Sequence, residues 1–267
     1  MAARLFGLFI TLYMLSGCVI SSTDNILKIA LLAPFEGQYR DIGYEALYAA
    51  RLALSDADLP HIDLLAIDDG GSVETAILRA EAIRQDPAIR GVLILGIHAA
   101  NRNTQLALGE IPTLIIGHWN TTPAQESVFL LTNPAIDILL TFTDEITALT
   151  SQTQTTPLIG SDLLSLAQVP QLIDANTVEF YSVSDLPSDV FRDRYLNSAE
   201  FVPEPRLIAP LTFDAMTIML TVIIGDISLD AINHEGITGT IRFDNGYWVD
   251  APLYHFRYED DLIIKIP

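Results

Sequence analysis

The sequence predicts an α/β protein whose first half is a parallel sheet of βα units, followed by a smaller second α/β unit. Two observations carry this. From Lys28 to Ile116, short apolar runs alternate with amphipathic stretches, the pattern of strands buried on both faces and joined by crossover helices. Half of the 267 residues are hydrophobic, enough for one large domain or two small lobes.

The elements follow in order. Lys28–Leu32 reads as a buried strand, broken by Ala33-Pro34-Phe35-Glu36-Gly37. Ile42 to Ala57 places Ala46, Ala49, Ala50, Leu52 and Ala53 at helical spacing, and Pro60 ends the segment. Ile62–Ile67 is a second strand before Asp68-Asp69-Gly70-Gly71. Ser72 can cap a helix over Val73–Gln85 with Glu74 in its first turn. Ile89–Leu95 is a third strand, Ala99–Leu108 a helix, and Pro112–Ile116 a fourth strand. Ligands of such sheets bind beyond the carboxyl ends of the strands. The loops there are 33–41, 68–71, 96–101 and 117–123.

Beyond this the pattern is less regular. Phe129–Leu131 suits a fifth strand, and Asn133-Pro134 a helix start. Ala135, Leu139, Phe142, Ile146 and Leu149 share a helical face, while Ile138–Phe142 also suits a strand. Pro157–Gly160 and Val178–Val183 read as strands flanking a helix over Leu163–Leu172. Val190–Asn197 and the strongly apolar Phe213–Ile224 read as helices. The tail carries strands at Thr240–Phe243, Leu253–Tyr258 and Leu262–Ile266, with Asp244-Asn245-Gly246 as a hairpin turn.

The N-terminus reads as an export signal. An apolar run from Leu5 to about Leu15 follows Arg4 and is too short to span a bilayer. It ends in Leu15-Ser16-Gly17-Cys18, which resembles a bacterial lipobox. That resemblance implies cleavage before Cys18, its diacylation, and a tether holding the domain on the outer face of a membrane; an ordinary signal peptide is the alternative. Cys18 is the sole cysteine, so no disulfide and no cysteine zinc site can form. After Thr23 no run reads as a membrane span. The net charge of −20, from 34 acidic against 14 basic residues, argues against a nucleic-acid partner. There is no Gly-x-Ser-x-Gly elbow and no Gly-Lys-Ser/Thr phosphate loop, so no enzyme is expected.

Further stretches resemble the type I periplasmic solute-binding proteins, closest to the leucine-isoleucine-valine binding branch. Ile29-Ala30-Leu31-Leu32-Ala33-Pro34 with Gly37, Gly43 and Ala49–Ala53 is similar to the family's opening strand, glycine loop and helix. Ala66–Gly70, Gly91–Gly96 and Ile111–Ile115 resemble its next strands. Leu158–Asp162, Phe191 with Arg194 and Tyr195, Phe213-Asp214-Ala215 and Gly236–Asp244 resemble second-lobe and closing signatures. The resemblance implies the periplasmic binding protein type I fold with a reduced second lobe, since the chain is short for the family and lacks its Tyr-Gly pair. The expected organisation is 1–17 signal peptide, 18–26 lipidated tether, 27–133 first lobe, 134–212 reduced second lobe and crossovers, and 213–267 a helix and terminal strands returning between the lobes.

The function implied is an extracytoplasmic lipoprotein that binds a small polar solute, an amino acid among the candidates, for the permease of an ABC importer. The alternative is a degenerate sensor or interaction module of the same fold. By resemblance, Ala100 stands where a carboxylate-binding Ser or Thr is common, with Asn101 beside it; both also read as an ordinary helix start. Thr121 matches a second hydroxyl position or caps a turn, and Trp119 walls a pocket or merely packs. Asp162 matches the second-lobe acid that meets an ammonium group, or caps a helix. Tyr181 faces the cleft or the core. His98, His118, Asp68 and Asp69 gather after strands, but their spacing does not indicate a metal site; loop histidines making ordinary hydrogen bonds are the expectation, and no cofactor is expected.

Overall fold

The computed structural model describes residues 26–139, 158–167, 169–172 and 178–267. The expected signal segment, Cys18 and the question of helix or strand after Leu139 lie outside the described residues.

The elements are β1 (Leu27–Ala33), α1 (Arg40–Ala57), β2 (Ile62–Asp68), α2 (Val73–Gln85), β3 (Ile89–Ile94), α3 (Arg102–Leu108), β4 (Thr113–Ile116), β5 (Val128–Leu131) and α4 (Ile136–Leu139). Then come β6 (Leu158–Gly160), α5 (Val169–Leu172), β7 (Val178–Ser182), α6 (Asp189–Leu196), α7 (Ile208–Gly225), β8 (Asn233–Gly236), β9 (Gly239–Asp244), β10 (Tyr247–Trp248), β11 (Tyr254–Glu259) and β12 (Leu262–Ile266). They form an eight-stranded sheet, β2-β1-β3-β4-β5-β10-β9-β8, and a four-stranded sheet, β12-β11-β7-β6.

The expected α/β class with a parallel first half is what the chain adopts. β1 pairs in parallel with β2 on one side and β3 on the other, so the strand order reverses between β1 and β3 and leaves a crevice at their carboxyl ends. β3 and β4 are buried almost throughout. β2 is largely exposed, because it is the edge strand. Close approach of the β1 loop to α1 requires Gly43: a Cβ there would lie 2.0 Å from the Pro34 carbonyl oxygen.

The sheets draw on distant parts of the chain. After α7 the chain returns to the first sheet as β8, β9 and β10, with β10 parallel to β5. Asn245 and Gly246 both adopt positive φ in the β9–β10 turn, as the Asp-Asn-Gly signal predicts. Residues 249–253 then cross to the second sheet, where β11 runs antiparallel to both β7 and β12.

Several boundaries differ from the expected ones. The helix expected from Ala99 starts at Arg102, because Asn101 caps it by accepting from the Asn103 N–H at 2.9 Å. Instead of one helix over Leu163–Leu172 there is a 3-10 turn at Asp162–Ser165, an extended Leu166, and the short α5. Pro170 has no N–H to bond back across that break. β8 carries no apolar run and β10 is only two residues long, and neither was expected.

The apolar helix begins five residues before Phe213, at Ile208. It is long and apolar enough to cross a membrane, contrary to the expectation that no such run follows Thr23. Two thirds of it is buried within the protein, where it packs on α1, β3 and β4, so it serves as a core helix. Its start is set from outside. Glu45 on α1 is buried, and its Oε1 accepts from the Arg206 and Ala209 N–H groups, each at 2.8 Å. A carboxylate thus caps the helix from another element, and Pro210 fits the first turn because its missing N–H would be unpaired there. At the other side, Asp214 accepts from the N–H groups of Ile237 and Thr238, at 3.0 and 2.8 Å, and from the Thr238 hydroxyl. This fixes the β8–β9 hairpin to α7.

Burial pushes the Glu45 carboxyl up from 4.5 to about 7, against the opposing N–H bonds. The folded state therefore binds the extra proton between those values, and Glu45 contributes stability below pH 4.5 that is lost as pH rises to about 7. The loss is about 3 kcal/mol at most. Glu45→Gln keeps the acceptor without the charge. Across thermal melts from pH 4 to 8, the variant's Tm should gain on the wild type through that window and level off above it. Asp214→Ala should cost about 2–4 kcal/mol in denaturant unfolding, with faster hydrogen exchange at the Ile237 and Thr238 amides.

Candidate functional site

The loops beyond β1, β2, β3 and β4 gather at one end of the first sheet, and the segment after β6 meets them. Asp68 organises the first two: its Oδ1 accepts from the Phe35 and Glu36 N–H groups at 2.7 and 3.1 Å, and its Oδ2 from Gly70 at 2.9 Å. Asp69 is buried, with Oδ1 held by the Gly71 N–H at 2.9 Å and Oδ2 without a partner. Burial raises its pKa, opposed by that N–H and by His98. Among the described residues no three His, Cys, Asp or Glu side chains are grouped to hold a metal ion.

The first-sheet candidates are tied to one another. Ala100 is fully buried, and its carbonyl accepts from the Gln105 amide at 2.9 Å and the Thr121 hydroxyl at 3.0 Å. Gln105 also donates to the Thr121 oxygen at 2.9 Å and accepts from the Ala124 N–H at 2.8 Å. Thr121 therefore works as part of a bracket joining loop 117–123 to α3, and the Asn101 side chain is occupied as the α3 cap. Trp119 is buried, and its indole N–H donates to the Ile116 carbonyl at 2.6 Å.

Asp162 lies where the two sheets meet. It is 1% exposed, and its Oδ2 accepts from the His118 backbone N–H at 3.0 Å. Ser161 Oγ donates to the His118 carbonyl at 3.5 Å, so the loop after β6 grips the loop after β4 through both backbone groups of one residue. Gly117 makes room for this with a positive φ of 84°; a Cβ there would lie 3.3 Å from Asp162 Oδ2. Burial pushes the Asp162 carboxyl up, and the Ser182 hydroxyl and His118 N–H oppose it.

His118 completes this buried polar cluster. Its Nδ1 is 3.3 Å from Thr132 Oγ1, and its Nε2 is 3.2 Å from Asp137 Oδ1, off the angle of a hydrogen bond. Burial lowers the imidazole pKa, opposed first by Asp137 and then by Asp162. Sequence reading set His118 down as a loop histidine making ordinary hydrogen bonds rather than a metal ligand; what it did not reveal is that Asp162 is the partner of its backbone N–H. Tyr181 lies elsewhere, on the half-exposed face of the second sheet, stacked on His255 with ring centres 4.4 Å apart. His255 Nε2 in turn lies 2.9 Å from Glu179 Oε2.

Two further contacts join the sheets; on the second sheet's own side, the Tyr258 hydroxyl donates to the Leu164 carbonyl at 2.7 Å. Arg206 donates to the Ser165 carbonyl at 2.8 Å, and the Asn133 amide to the Ala251 carbonyl at 2.7 Å. The last binds two crossover segments side by side.

No family model matches the sequence, and no curated protein sequence matches it either. Solved structures do match the fold. The branched-chain amino acid transporter substrate binding protein LivJ from Streptococcus pneumoniae, in complex with isoleucine, aligns with a TM-score of 0.65 at 15% identity, over 90% of this chain and 99% of that one. The leucine binding protein LivK from Thermotoga maritima aligns at 0.69 and 12% identity, over 91% and 98% of the two chains. A solute binding protein of an R. palustris ABC transporter, in complex with 4-hydroxybenzoate, aligns at 0.68 and 8% identity, over 90% and 95%. Strand order, crossovers and these alignments agree: the chain has the periplasmic binding protein type I fold.

Proposed function

We propose that the chain is an extracytoplasmic solute-binding protein that delivers a small polar solute to an ABC-type importer, tethered to the membrane by a diacylated Cys18. The observation that carries this reading is the alignment with substrate-binding proteins over about nine tenths of the chain. The crevice at the carboxyl ends of β1 and β3, with Asp162 after β6 bonded to the neighbouring β4 loop, supports it. The proposed first lobe is 27–133 together with α7 and β8–β10; the reduced second lobe holds β6, β7, β11 and β12. Binding would be closure of the lobes on the solute, with affinity set by contacts made only in the closed state.

The test is calorimetric titration of the mature chain with leucine, isoleucine, benzoate and 4-hydroxybenzoate. A saturable heat at micromolar affinity, about −8 kcal/mol, is the expected outcome; silence across the panel overturns the choice of solutes. Where an amino acid binds, Asp162→Ala should weaken it by about 2–5 kcal/mol if the carboxylate meets the ammonium group.

The direct bond from the His118 N–H to Asp162 favours a second reading: a module whose halves hold each other without a guest. Under it, the carboxylate is only a buried acceptor with a raised pKa. Such a group costs stability as pH rises above its unfolded value of 3.8. Asp162→Asn should then melt higher than the wild type at pH 8, the gap closing toward pH 4, with no change in any solute affinity.

A further inference from the structure

We infer a second small-molecule site, on the flank of the crossover between the sheets, that takes a carboxylate-bearing ligand with a flat apolar body. A cavity of about 640 Å³ opens between the β8–β9 hairpin, β10 and residues 249–254. That lies within the size of small-molecule sites, about 300–1,000 Å³. Ala100, Asn101, Trp119, Thr121, Asp162 and Tyr181 take no part in its lining, so it is distinct from the crevice of the solute reading and does not rest on it.

Its walls divide by chemistry. Arg242 and Asn233 supply the polar side. Arg242 is half-exposed, and its ion partner is Asp250, whose Oδ2 stands 3.5 Å from Nη2. The Asn233 side-chain amide makes no hydrogen bond among the described residues. A guanidinium fork matches a carboxylate in bidentate geometry, and the amide adds a third donor. In a chain with 14 basic against 34 acidic residues, a guanidinium held only by one loose, solvent-exposed carboxylate is an available anion site. Asp250 is 87% exposed, so an incoming carboxylate displaces it into water at little cost.

Trp248, Pro252 and Tyr254 supply the apolar side. The Trp248 ring is nearly buried and is fixed because its N–H donates to the Thr240 carbonyl at 2.9 Å, which gives the site a rigid backing. Arg242 and Asn233 belong to the first sheet and Tyr254 to the second. A ligand spanning them ties the sheets together across residues 249–253.

Phenylacetate, a flat apolar ring with one carboxylate, is the probe. Titrated into the isotope-labelled mature chain, it should produce saturable NMR shifts at the Trp248 indole N–H and at the amides of 249–251, 253 and 254. Arg242→Gln should weaken it at least tenfold, and Asp250→Asn, which removes the competing carboxylate, should tighten it severalfold. Absence of saturable shifts, shifts centred on Trp119 and Thr121 instead, or an affinity indifferent to both substitutions would overturn the site. Should Arg242→Gln fail to fold, the direction of the Asp250→Asn change decides alone.

Discussion

Among the described residues the buried carboxylates are held chiefly by backbone N–H groups, and the architecture depends on it. Glu45, Asp69, Asp162 and Asp214 are each buried, and each accepts from main-chain donors of a loop or helix end. With few basic residues to spare, an acidic chain satisfies its inward acids where the backbone has unpaired donors. Three of the four also join parts of the chain that sequence separates widely, while Asp69 binds Gly71 within its own turn. Glu45 sets the start of α7, Asp214 fixes the hairpin, and Asp162 docks the second sheet onto the first. Burial makes these contacts directional: an unpaired donor in the interior costs more than a lost surface ion pair.

The first sheet was legible in the sequence because its signals are local. Buried runs such as Ile29–Ala33, the Ser72 cap and the Asn245-Gly246 turn each declare themselves within a few residues. What escaped reading depends on distant partners. The α7 start is fixed by Glu45, more than 160 residues upstream. β8 is a strand because it pairs with β9 and is clamped by Asp214, although Asn-His-Glu-Gly carries no strand pattern.

The same divide runs through the candidate site. Resemblance brought Asp162 to attention, and the structure places it against the backbone of His118, a pairing across 44 residues that no local pattern encodes. Thr121 was read as a ligand hydroxyl or a turn cap; neither reading reveals that Gln105, 16 residues away, engages it. Tyr181 sits on a strand as read, but its stacking partner His255 is set by the register of β7 with β11. Spacing reveals which residues share a strand; it does not reveal which strands meet.

The pairing of β11 with β7 has a kinetic consequence. Tyr181 opposes His255 in that ladder, so the second sheet gains its central pair only after a long loop has closed. Loop entropy must be overcome before the ladder rewards it, which slows assembly. In the 27–131 region, by contrast, three of the four ladders join strands adjacent in sequence, and only β1 with β3 skips over an intervening strand. Maturation should therefore be asynchronous, with an early-ordered amino-terminal sheet awaiting a late-arriving carboxyl-terminal hairpin, and the interval between them is when the chain is most exposed to proteases and aggregation.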